Sequence, residues 1–364
     1  MALRARWRRA LWRALKWPLL AVTAGVALLL VPVAYVELAC RGDGSGAQAY
    51  APLITDPASQ RREANTYLTY PEWHIVYAYD GIAETLKTGD EHAFDYVPSI
   101  AGFWRSACAL MEVADAHGGA DAGTRATIHT IGVSFTGEMA LKAAYEETIG
   151  RMTAWWRGPI KTPQDRVVAE MAADYGAFLR QTPWYAYPFG REAGDLWHAP
   201  VDGLIRGWER RLGIGAEFVA KAAYAKVLAG AAAASPAPLT IRSVVSGIDA
   251  KAIAAIPDVT IVGERGSGIE IETPRYDRFT RILAAIAMQG GSIDEIAGND
   301  DIMVTITVPG EGLSPIEHGT IILRMTRNGF GNERAIVDVK VKELATLLRA
   351  HPVGDPGIEH VFDY

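Results

Sequence analysis

The N-terminal part of the chain, up to residue 36, constrains the fold more than any other feature. Residues 1–17 carry six basic side chains and no acidic one, and residues 18–36 contain no charged side chain. A basic flank followed by an apolar run of this length is typical of a helix that crosses the hydrocarbon core of a membrane. Because cytoplasmic flanks are enriched in Lys and Arg, we predict a cytoplasmic N-terminus and an inner (plasma) membrane anchor over residues 1–41. The bulk of the chain is then extracytoplasmic.

A cleaved signal peptide is the alternative explanation of this pattern. Its apolar region is usually about 7–15 residues long, and small residues follow at the cleavage site. Here the apolar run is longer, and Glu37 stands where a small residue is needed ahead of Cys40. The same glutamate disfavours a lipoprotein site at Cys40. A retained signal-anchor is therefore the favoured interpretation.

Net charge and cysteine content limit the partners and the compartment. Residues 1–41 hold seven basic residues and one acidic residue, so residues 42–364 hold the remaining 29 bases and 41 acids, a net charge of -12. Nucleic-acid binding needs clustered basic residues, so this balance argues against a nucleic-acid partner. The two cysteines, Cys40 and Cys108, could form a disulfide in an oxidising compartment. The small, apolar surroundings of Cys108 instead favour an unpaired core residue on a helix.

The residues beyond the anchor begin with a tether and a helical region. Residues 42–65 include a polar stretch with Gly, Ser and Pro, which predicts a tether off the membrane. Residues 66–234 show helical periodicity and many aromatic residues. Helix start signals include a capping box at Thr69 and Glu72, and a second start at Thr162, where a proline and an acid follow. We therefore predict an all-α, aromatic-rich domain over residues 66–234.

Near residue 236, where Pro and Ala are concentrated, the sequence changes from a helical, aromatic-rich pattern to β-branched runs. This change predicts a domain boundary. The strands that follow are expected from β-branched runs, and the helices from helical patterns. The strands are predicted at 239–246, 259–264, 269–273, 302–308, 320–326 and 335–341, and the helices at 274–289 and 342–350. Asn328-Gly329 is a hairpin turn signal. Residues 239–364 are therefore predicted to form a small α+β domain, ferredoxin-like or a related sandwich.

Catalytic and cofactor signatures are missing from the sequence. It contains no His-Glu-x-x-His helix, no Cys-x-x-Cys, no P-loop and no dinucleotide fingerprint after a strand. Gly132–Gly137 resembles a nucleophile elbow but is one residue too long and lies in a helical pattern. Gly263–Gly268 joins two predicted strands, which indicates a hairpin loop and not a phosphate-binding loop. We therefore predict no cofactor and no metal, and we leave open whether the protein is an enzyme.

The densest polar and aromatic cluster lies at the start of the predicted helical domain. Trp73, His74 and Tyr77 are candidate ligand-binding residues, because residues three or four apart are neighbours on a helix. His74 would then titrate near neutrality, tuned by Glu72 or Asp80. The same pattern fits an aromatic core stripe with a hydrogen-bonded histidine and with Glu72 used for capping. This second interpretation is favoured, so His74 and Glu72 remain weak catalytic candidates.

An approximate internal repeat provides the third catalytic candidate. Glu138–Tyr145 and Glu217–Tyr224 each have Glu and Lys four residues apart, followed by small alanines that permit close helix packing. If the two helices pack together, Glu138 and Glu217 would face each other and could hold a metal. The Glu-x-x-His motif of di-iron bundles is missing, however. Glu138 is therefore retained as a weak candidate, without a predicted metal site.

Tryptophans lie beside arginines at Trp104–Arg105, Trp155–Arg157 and Trp208–Arg211. One interpretation is a bilayer interface, where indole rings are buried and basic groups reach the headgroups. The other is a helical core closed by tryptophans, with the arginines in water. The sequence alone does not separate the two.

Together, these features favour a single-span, membrane-anchored extracytoplasmic protein that acts by binding, scaffolding or assembly. Its expected partners are the membrane and a protein of the envelope. The alternative is an enzyme or lipid-handling protein that acts on a membrane-proximal substrate through a pocket in the helical domain. Trp73, His74, Tyr77 and the helix of Glu138 would line that pocket. A third hypothesis is a cofactor-binding module with His74 or His129 as an axial ligand.

Overall fold

The computed structural model describes residues 2–42, 50–233, 239–309 and 316–364. The chain begins with one long helix, α1 (Ala2–Ala39). Its segment Leu19–Ala39 has a mean hydropathy of 2.4, and its 21 residues are enough to cross a membrane, because a helix rises about 1.5 Å per residue. By length and composition, this segment can serve as a membrane anchor or as a signal sequence.

A helical region follows, as predicted from the aromatic-rich sequence. Its α-helices are α2 (Asn65–Leu68), α3 (Tyr70–Thr88), α4 (Tyr96–Ala116), α5 (Ala122–Tyr145), α6 (Arg151–Arg157), α7 (Pro163–Leu179), α8 (Phe189–His198) and α9 (Leu204–Ala233). Between α5 and α6 the backbone passes through a single π-helical turn, Glu146–Gly150. Such turns are rare and are often found at functional sites.

A capping box predicted from the sequence explains the start of one of these helices, but a second predicted box is wrong. At α7, the predicted start is a capping box: Thr162 Oγ1 accepts the Asp165 N–H at 3.1 Å, and the Asp165 carboxylate accepts the Thr162 N–H at 2.9 Å. The capping box predicted at Thr69 and Glu72 is wrong. Thr69 is itself helical (φ -82°), and its hydroxyl donates to the carbonyl of Thr66 at 3.0 Å. As a result, α2 and α3 follow each other almost without a break.

The remainder of the described chain forms two four-stranded antiparallel sheets. The strands are β1 (Thr240–Ser246), β2 (Thr260–Arg265), β3 (Gly268–Pro274), β4 (Ser292–Ile296), β5 (Asp301–Val308), β6 (Thr320–Thr326), β7 (Glu333–Lys340) and β8 (Gly357–Val361). The helices among them are α10 (Ala250–Ala254), α11 (Asp277–Met288) and α12 (Val341–Ala350). The first sheet has the order β2-β3-β1-β4, and the second repeats it as β6-β7-β5-β8. The predicted turn at Asn328-Gly329 lies in the connection between the paired strands β6 and β7.

The sequence analysis missed β4, β8 and α10. Both of these strands contain a carboxylate, which an apolar alternation pattern treats as exposed. In the structure Glu295 of β4 is fully buried, and it accepts hydrogen bonds from the Tyr50 hydroxyl and the Ile54 N–H, each at 2.8 Å. Glu359 of β8 accepts a hydrogen bond from buried Arg334 at 2.8 Å. Both strands therefore depend on partners from other parts of the chain.

Two apolar cores hold these elements together. The first joins the helical region to the second sheet, where Phe362 contacts the rings of Tyr70 and Trp73 with centroids 5.6 and 6.0 Å apart. The second is built from residues of both sheets and of α11 and α12. Complete burial of such a side chain stabilises a fold by roughly 1.5–3 kcal/mol. The helical region and the second sheet are therefore stabilised by shared contacts.

The end of α1 is built into the helical region. Val36 and Cys40 are fully buried, and Cys40 forms a disulfide with Cys108 on α4. Glu37 contacts His129 Nε2 on α5 at 2.6 Å. The interpretation of Cys108 as an unpaired core residue is therefore wrong, because a neighbouring sequence cannot indicate a thiol 68 residues away.

The described part of the predicted tether, residues 50–65, lies against the sheets. The Arg61 N–H donates to the carbonyl of Ala297, directly after β4, at 2.9 Å. Residues 43–49 and 234–238 lie outside the described residues. The predicted domain boundary near residue 236 therefore stays a prediction.

Candidate functional site at the helix–sheet junction

A cavity of about 70 Å³ lies where α3 and α4 meet β6 and the β6–β7 connection. A water molecule needs about 10–15 Å³ of such volume, so the cavity holds roughly five small atoms. The polar residues of its wall are His74, Tyr77, Ser99, Arg105, Thr326, Arg327, Asn328 and Arg334. The cavity therefore combines side chains from helices and strands that are far apart in sequence.

Two glycines shape this cavity. A Cβ at Gly81 would lie 2.3 Å from the carbonyl oxygen of Asn328, so only glycine allows the β6–β7 connection to contact α3. A Cβ at Gly102 would lie 3.2 Å from both His74 Cε1 and Met325 Cε. A side chain at position 102 would therefore narrow the cavity.

His74 is a buried part of the cavity wall. Its Nε2 lies 3.0 Å from the carbonyl oxygen of Ser99, so this nitrogen donates and Nδ1 carries a lone pair. Nδ1 has no hydrogen-bond partner among the described residues. Burial lowers the pKa of His74 to about 3, which makes the imidazole neutral at physiological pH. The prediction that His74 titrates near neutrality is therefore wrong.

Arg334 crosses the junction and is paired. Its Nη2 donates to Glu359 at 2.8 Å, and its guanidinium group lies 3.5 Å from the ring centroid of Tyr77. A guanidinium group over an aromatic face gains cation–π attraction. The Tyr77 hydroxyl is 3.1 Å from Thr305 Oγ1 on β5. Tyr77 therefore connects α3 to the second sheet, and it also borders the cavity.

The two other arginines of the wall are less completely paired. Arg327 donates through Nη1 to Asp355 at 2.7 Å and lies 4.0 Å above the ring of Phe330. Its Nε is buried and has no partner among the described residues. Arg105 is exposed at the edge of the cavity and forms no ion pair or hydrogen bond within the described part of the chain.

Unpaired polar groups lie behind the wall of this cavity. Ser99 Oγ, His74 Nδ1 and Arg327 Nε are all buried without a partner among the described residues, and each has less than 1 Å² of accessible surface, so none of them faces the open volume. The three arginines of the wall pair with only two carboxylates, which leaves one positive charge. That charge is what the cavity offers to a polar molecule.

Only two of the three predicted ligand-binding residues border the cavity. His74 and Tyr77 line the cavity, whereas Trp73 is not part of its wall. The indole ring of Trp73 stacks on His360 of β8, with centroids 3.5 Å apart. Glu72 is exposed on α3 and also lies outside the wall.

Glu138 belongs to a separate polar site between α5 and α9. The two repeat helices pack together, and Lys221 Nζ lies 2.6 Å from Glu138 and 3.0 Å from Glu217. Lys142 Nζ is 2.8 Å from Glu217, and Tyr79 donates its hydroxyl hydrogen to Glu138. The facing carboxylates predicted from the sequence are therefore neutralised by two ammonium groups.

The most extensive buried ion network was missed from the sequence. Arg206 and Arg210 lie one turn apart on α9, and their side chains are almost completely buried. The carboxylates that they contact, at 2.5–3.0 Å, are those of Glu91, Glu146, Asp165 and Glu209. A second cavity, of about 50 Å³, has Glu91, Glu146, Glu217 and Lys221 in its wall. In the sequence, the only local sign of the ion network was that Arg206 and Arg210 are four residues apart, with Glu209 between them.

Of the three tryptophan–arginine groups, Trp104–Arg105 fits the core interpretation, with the tryptophan buried and the arginine exposed, but the other two do not. Trp155, Trp156 and Trp208 are 80%, 66% and 42% exposed. Arg157 and Arg210 beside them are buried in ion pairs. The hypothesis that these tryptophans close a core while the arginines face water is therefore wrong at these positions.

One group of described residues has the ligand types of a metal site. Glu63, His117 and Asp301 bring a histidine nitrogen and two carboxylate oxygens within 4.8 Å of one another. The hydrogen bond that His117 Nδ1 donates to the Glu63 carboxylate raises the pKa of His117, and Lys340 Nζ lies 2.6 Å from Asp301. These charges pair with one another. His129, one of the suggested axial ligands, uses Nε2 in its contact with Glu37 of α1 and is not a member of this group.

Known proteins give no guide to the role of these sites. The chain has no significant match to a family model, to a curated protein or to a solved structure. Function must therefore be inferred from the chemistry of the sites themselves.

Proposed function

We propose that the protein is a single-span, membrane-anchored extracytoplasmic protein that acts by binding and assembly at the membrane. The observation that carries this proposal is the disulfide between Cys40 at the end of α1 and Cys108 on α4. Disulfides persist in oxidising compartments such as the periplasm. The basic flank before the apolar segment favours a cytoplasmic N-terminus. Both features support an inner-membrane location with the folded region outside the cytoplasm.

The packing of α1 supports a retained signal-anchor over a cleaved signal peptide. A signal peptide is absent from the mature protein, but Val36 and Cys40 are fully buried against the helical region. Removal of this segment would expose apolar surface on α4 and α5 and would eliminate the disulfide. The folded region is thus expected to be held in a fixed orientation to the bilayer.

Exposed apolar side chains support a role at the membrane surface. They are Trp155, Trp156, Ile160, Trp197 and Trp208, whose exposed fractions range from 42% to 80%, and we infer that they share one face. Large exposed apolar patches mark interaction sites, and tryptophan is enriched at membrane interfaces. We infer that this face contacts the bilayer, because α5 packs on α1 and continues through the π-helical turn into α6. Quenching of tryptophan fluorescence by brominated lipids tests this contact, and Trp155→Ala with Trp156→Ala should reduce it.

The sheets support a finer fold assignment. We infer a ferredoxin-like arrangement for the first sheet, because its elements follow the order β-α-β-β-α-β. The strand order β2-β3-β1-β4 with antiparallel neighbours is consistent with two split β-α-β units. The second sheet has the same strand order. An experimental structure of residues 239–364 within the full chain would test this assignment.

Two measurements test the proposed location: the reactivity of the two cysteines, and the access of external protease to the folded region. In bacterial cells that express the full-length protein, Cys40 and Cys108 should react with an alkylating reagent only after reduction. Externally added protease should cut the folded region in spheroplasts but not in intact cells. As a control, Cys108→Ser should leave Cys40 reactive without reduction. Free thiols in the natural protein, together with protection in spheroplasts, would contradict the proposal.

A second candidate function, ligand handling by an enzyme or a lipid-handling protein, is favoured by one observation. The cavity beside His74 has three arginines in its wall, and only two carboxylates pair with them. Catalysis is less well supported, because the Ser99 hydroxyl is not hydrogen-bonded to His74, and an activated nucleophile needs a base in contact. Binding is therefore the better-supported role of the cavity.

A further inference from the structure

We propose that Glu63, His117 and Asp301 bind one divalent transition-metal ion such as Zn²⁺. The site goes beyond the proposed function, because it depends neither on the membrane nor on the cavity at the helix–sheet junction. It also differs from the sequence analysis, which predicts no metal, since the three residues are far apart in the chain and form no local motif.

The three ligand groups meet between the helical region and the second sheet. Glu63 lies just before α2, His117 directly follows α4, and Asp301 is the first residue of β5. Their ligand atoms all lie within 4.8 Å of one another. His117 Nδ1 is 3.8 Å from an Asp301 carboxylate oxygen, whereas two ligands of a tetrahedral zinc ion are about 3.4 Å apart when each bond is about 2.1 Å long. Small side-chain movements would therefore bring these atoms to bonding distance of one ion.

The other nitrogen of His117 is held in the way that is common at metal sites. The Tyr67 hydroxyl donates to Asp338 at 2.6 Å, so its oxygen is left to accept from His117 Nε2 at 3.3 Å. A histidine that binds a metal usually donates its second N–H to a nearby oxygen, and this contact fixes the tautomer and the orientation of the ring. Nε2 is therefore the donor, and Nδ1 is the nitrogen beside Glu63 and Asp301.

The position between Nδ1 and the two carboxylates requires a positively charged occupant. A lone pair on Nδ1 would be repelled by the carboxylate oxygens, so the nitrogen either carries a hydrogen or binds a cation. In the structure Nδ1 donates a hydrogen to Glu63. A metal ion would take the place of this hydrogen, which would leave to solvent as a proton, as in other sites with a histidine ligand.

The local charge favours a divalent ion over a single proton. Glu63, Asp301 and Asp338 bring three negative charges. The ammonium group that pairs with Asp301, that of Lys340, is shared with Asp300. With a neutral imidazole, these groups therefore carry at least two uncompensated negative charges, which a divalent cation would balance and one proton would not.

The donor atoms and their exposure indicate the class of metal. One imidazole nitrogen with carboxylate oxygens suits Zn²⁺ and related transition metals, whereas Mg²⁺ and Ca²⁺ prefer oxygen ligands alone. The side chains of Glu63 and His117 are 20% and 19% exposed, and that of Asp301 is 8% exposed. An ion can therefore enter from solvent, and water can complete its coordination.

The first measurement is calorimetric titration of the full-length protein, without a histidine tag and after treatment with EDTA, in detergent. We expect saturable one-to-one binding of Zn²⁺ with a Kd of about 10 µM or below, and at least about 100-fold weaker binding of Mg²⁺. Absence of saturation up to about 100 µM Zn²⁺ would overturn the proposal. Equal affinities for the two ions would overturn the assignment of a histidine ligand.

Three variants and one control locate the site. His117→Ala and Asp301→Asn each remove a ligand and should weaken Zn²⁺ binding at least about 100-fold, and Tyr67→Phe, which removes the hydroxyl that orients His117, roughly tenfold. His318→Ala should bind like the natural protein, because exposed His318 has a single carboxylate, that of Glu343, at 2.8 Å. If all four variants bind Zn²⁺ equally, the ion binds elsewhere and the proposal fails.

Thermal unfolding separates the loss of a ligand from the loss of the fold. An ion that binds only the folded chain raises the unfolding midpoint, so Zn²⁺ should raise it in the natural protein and in His318→Ala, and EDTA should reverse the change. His117→Ala should still unfold cooperatively, with a midpoint that Zn²⁺ does not raise. An equal rise in folded His117→Ala would contradict the proposal, and if this variant does not fold, Tyr67→Phe provides the same test through a smaller rise.

Discussion

Two buried polar regions of this protein differ in how completely their groups are paired. In the network around α9, Arg206 and Arg210 are almost fully buried, and each contacts three carboxylates within 3.0 Å. In the cavity at the helix–sheet junction, Ser99 Oγ, His74 Nδ1 and Arg327 Nε have no partner among the described residues. Both regions lie at contacts between several elements, so burial alone does not distinguish them.

The difference separates a structural role from a binding role. A buried charge is tolerated only where opposite charges and hydrogen bonds compensate for lost hydration. The α9 network meets that condition with its own side chains, and it therefore connects α9 to α7, to the π-helical turn and to the segment between α3 and α4. The cavity wall does not meet it, since Arg105 at its exposed edge has no carboxylate partner among the described residues and is open to water or to a ligand.

The largest expected effect is in the α9 network. Arg210→Met keeps most of the side-chain volume but leaves Glu91, Glu146 and Glu209 without one of their cations. We expect the free energy of unfolding to fall by about 3–5 kcal/mol, measured by denaturant unfolding in detergent. Arg166→Met, at an exposed position, should change it by less than about 0.5 kcal/mol. Similar losses in both variants would show that the network is not a special contributor.

The disulfide provides the next largest contribution. Replacement of both Cys40 and Cys108 by serine removes a link between residues 68 positions apart. The unfolded chain then gains conformational freedom, and the loss of stability should be about 2–4 kcal/mol. Reduction of the natural protein should give the same loss, and the reductant should have no effect on the double variant. A stable natural protein under reducing conditions would be inconsistent with this assignment.

Stability should also depend on pH through His74. Burial lowers the pKa of His74 from 6.5 to about 3, so between these values the unfolded chain binds a proton that the folded chain does not. Stability is therefore complete above pH 6.5 and is lost as the pH falls toward 3. We expect a loss of about 2–3 kcal/mol between pH 7 and pH 4.5, measured by denaturant unfolding. Burial also lowers the pKa of His360, so His74→Asn should remove only the share of this dependence that comes from His74.

Glu217, which lies in the same polar site as Glu138, should affect stability over a lower pH range than His74. Burial raises the pKa of Glu217, but Lys142 and Lys221 lower it by more, to about 2. Because the folded pKa lies below the ordinary value of 4.5, the contribution of Glu217 is present above pH 4.5 and lost toward pH 2. The Glu217 and His74 contributions can therefore be measured separately between pH 4.5 and 6.5. A flat profile in that range would argue against buried, neutral His74.

The smallest expected change in the free energy of unfolding comes from removing a serine hydroxyl, and it should differ between an unpaired and a paired hydroxyl group. Ser99→Ala removes a hydroxyl without a described partner, so without ligand its effect should be between zero and a gain of about 1 kcal/mol. Ser106→Ala, on the same helix, removes a hydroxyl that donates to the Phe103 carbonyl at 2.9 Å and should cost about 1 kcal/mol. If Ser99→Ala is the more damaging of the two, Ser99 has a structural partner.

Much of the secondary structure could be predicted because its signals are local. The apolar segment of α1, the capping box at Thr162 and Asp165, and six strands follow from neighbouring residues alone. β4 and β8 could not be predicted, because Glu295 and Glu359 are buried only through partners elsewhere. The failed capping box at Thr69 has a similar cause, since the preceding residues are helical.

The candidate site could be predicted only in part. His74 and Tyr77 were identified because they lie together on one helix. Ser99, Arg327 and Arg334 were not, because each belongs to a different element and none has an unusual local sequence. Only the contact of α3 and α4 with the β6–β7 connection brings them to one cavity.

The sequence by itself determined the apolar N-terminal helix and the classes of the two regions that follow it. These properties depend on hydropathy and periodicity over a few turns or strands. The tertiary structure alone decided the disulfide, the ion network and the cavity. Arg206 meets Glu91 across 115 residues, and Glu295 meets Ile54 across 241. The physical reason is that the cost of burying a charge is set by the groups around it in space, not by its neighbours in the chain.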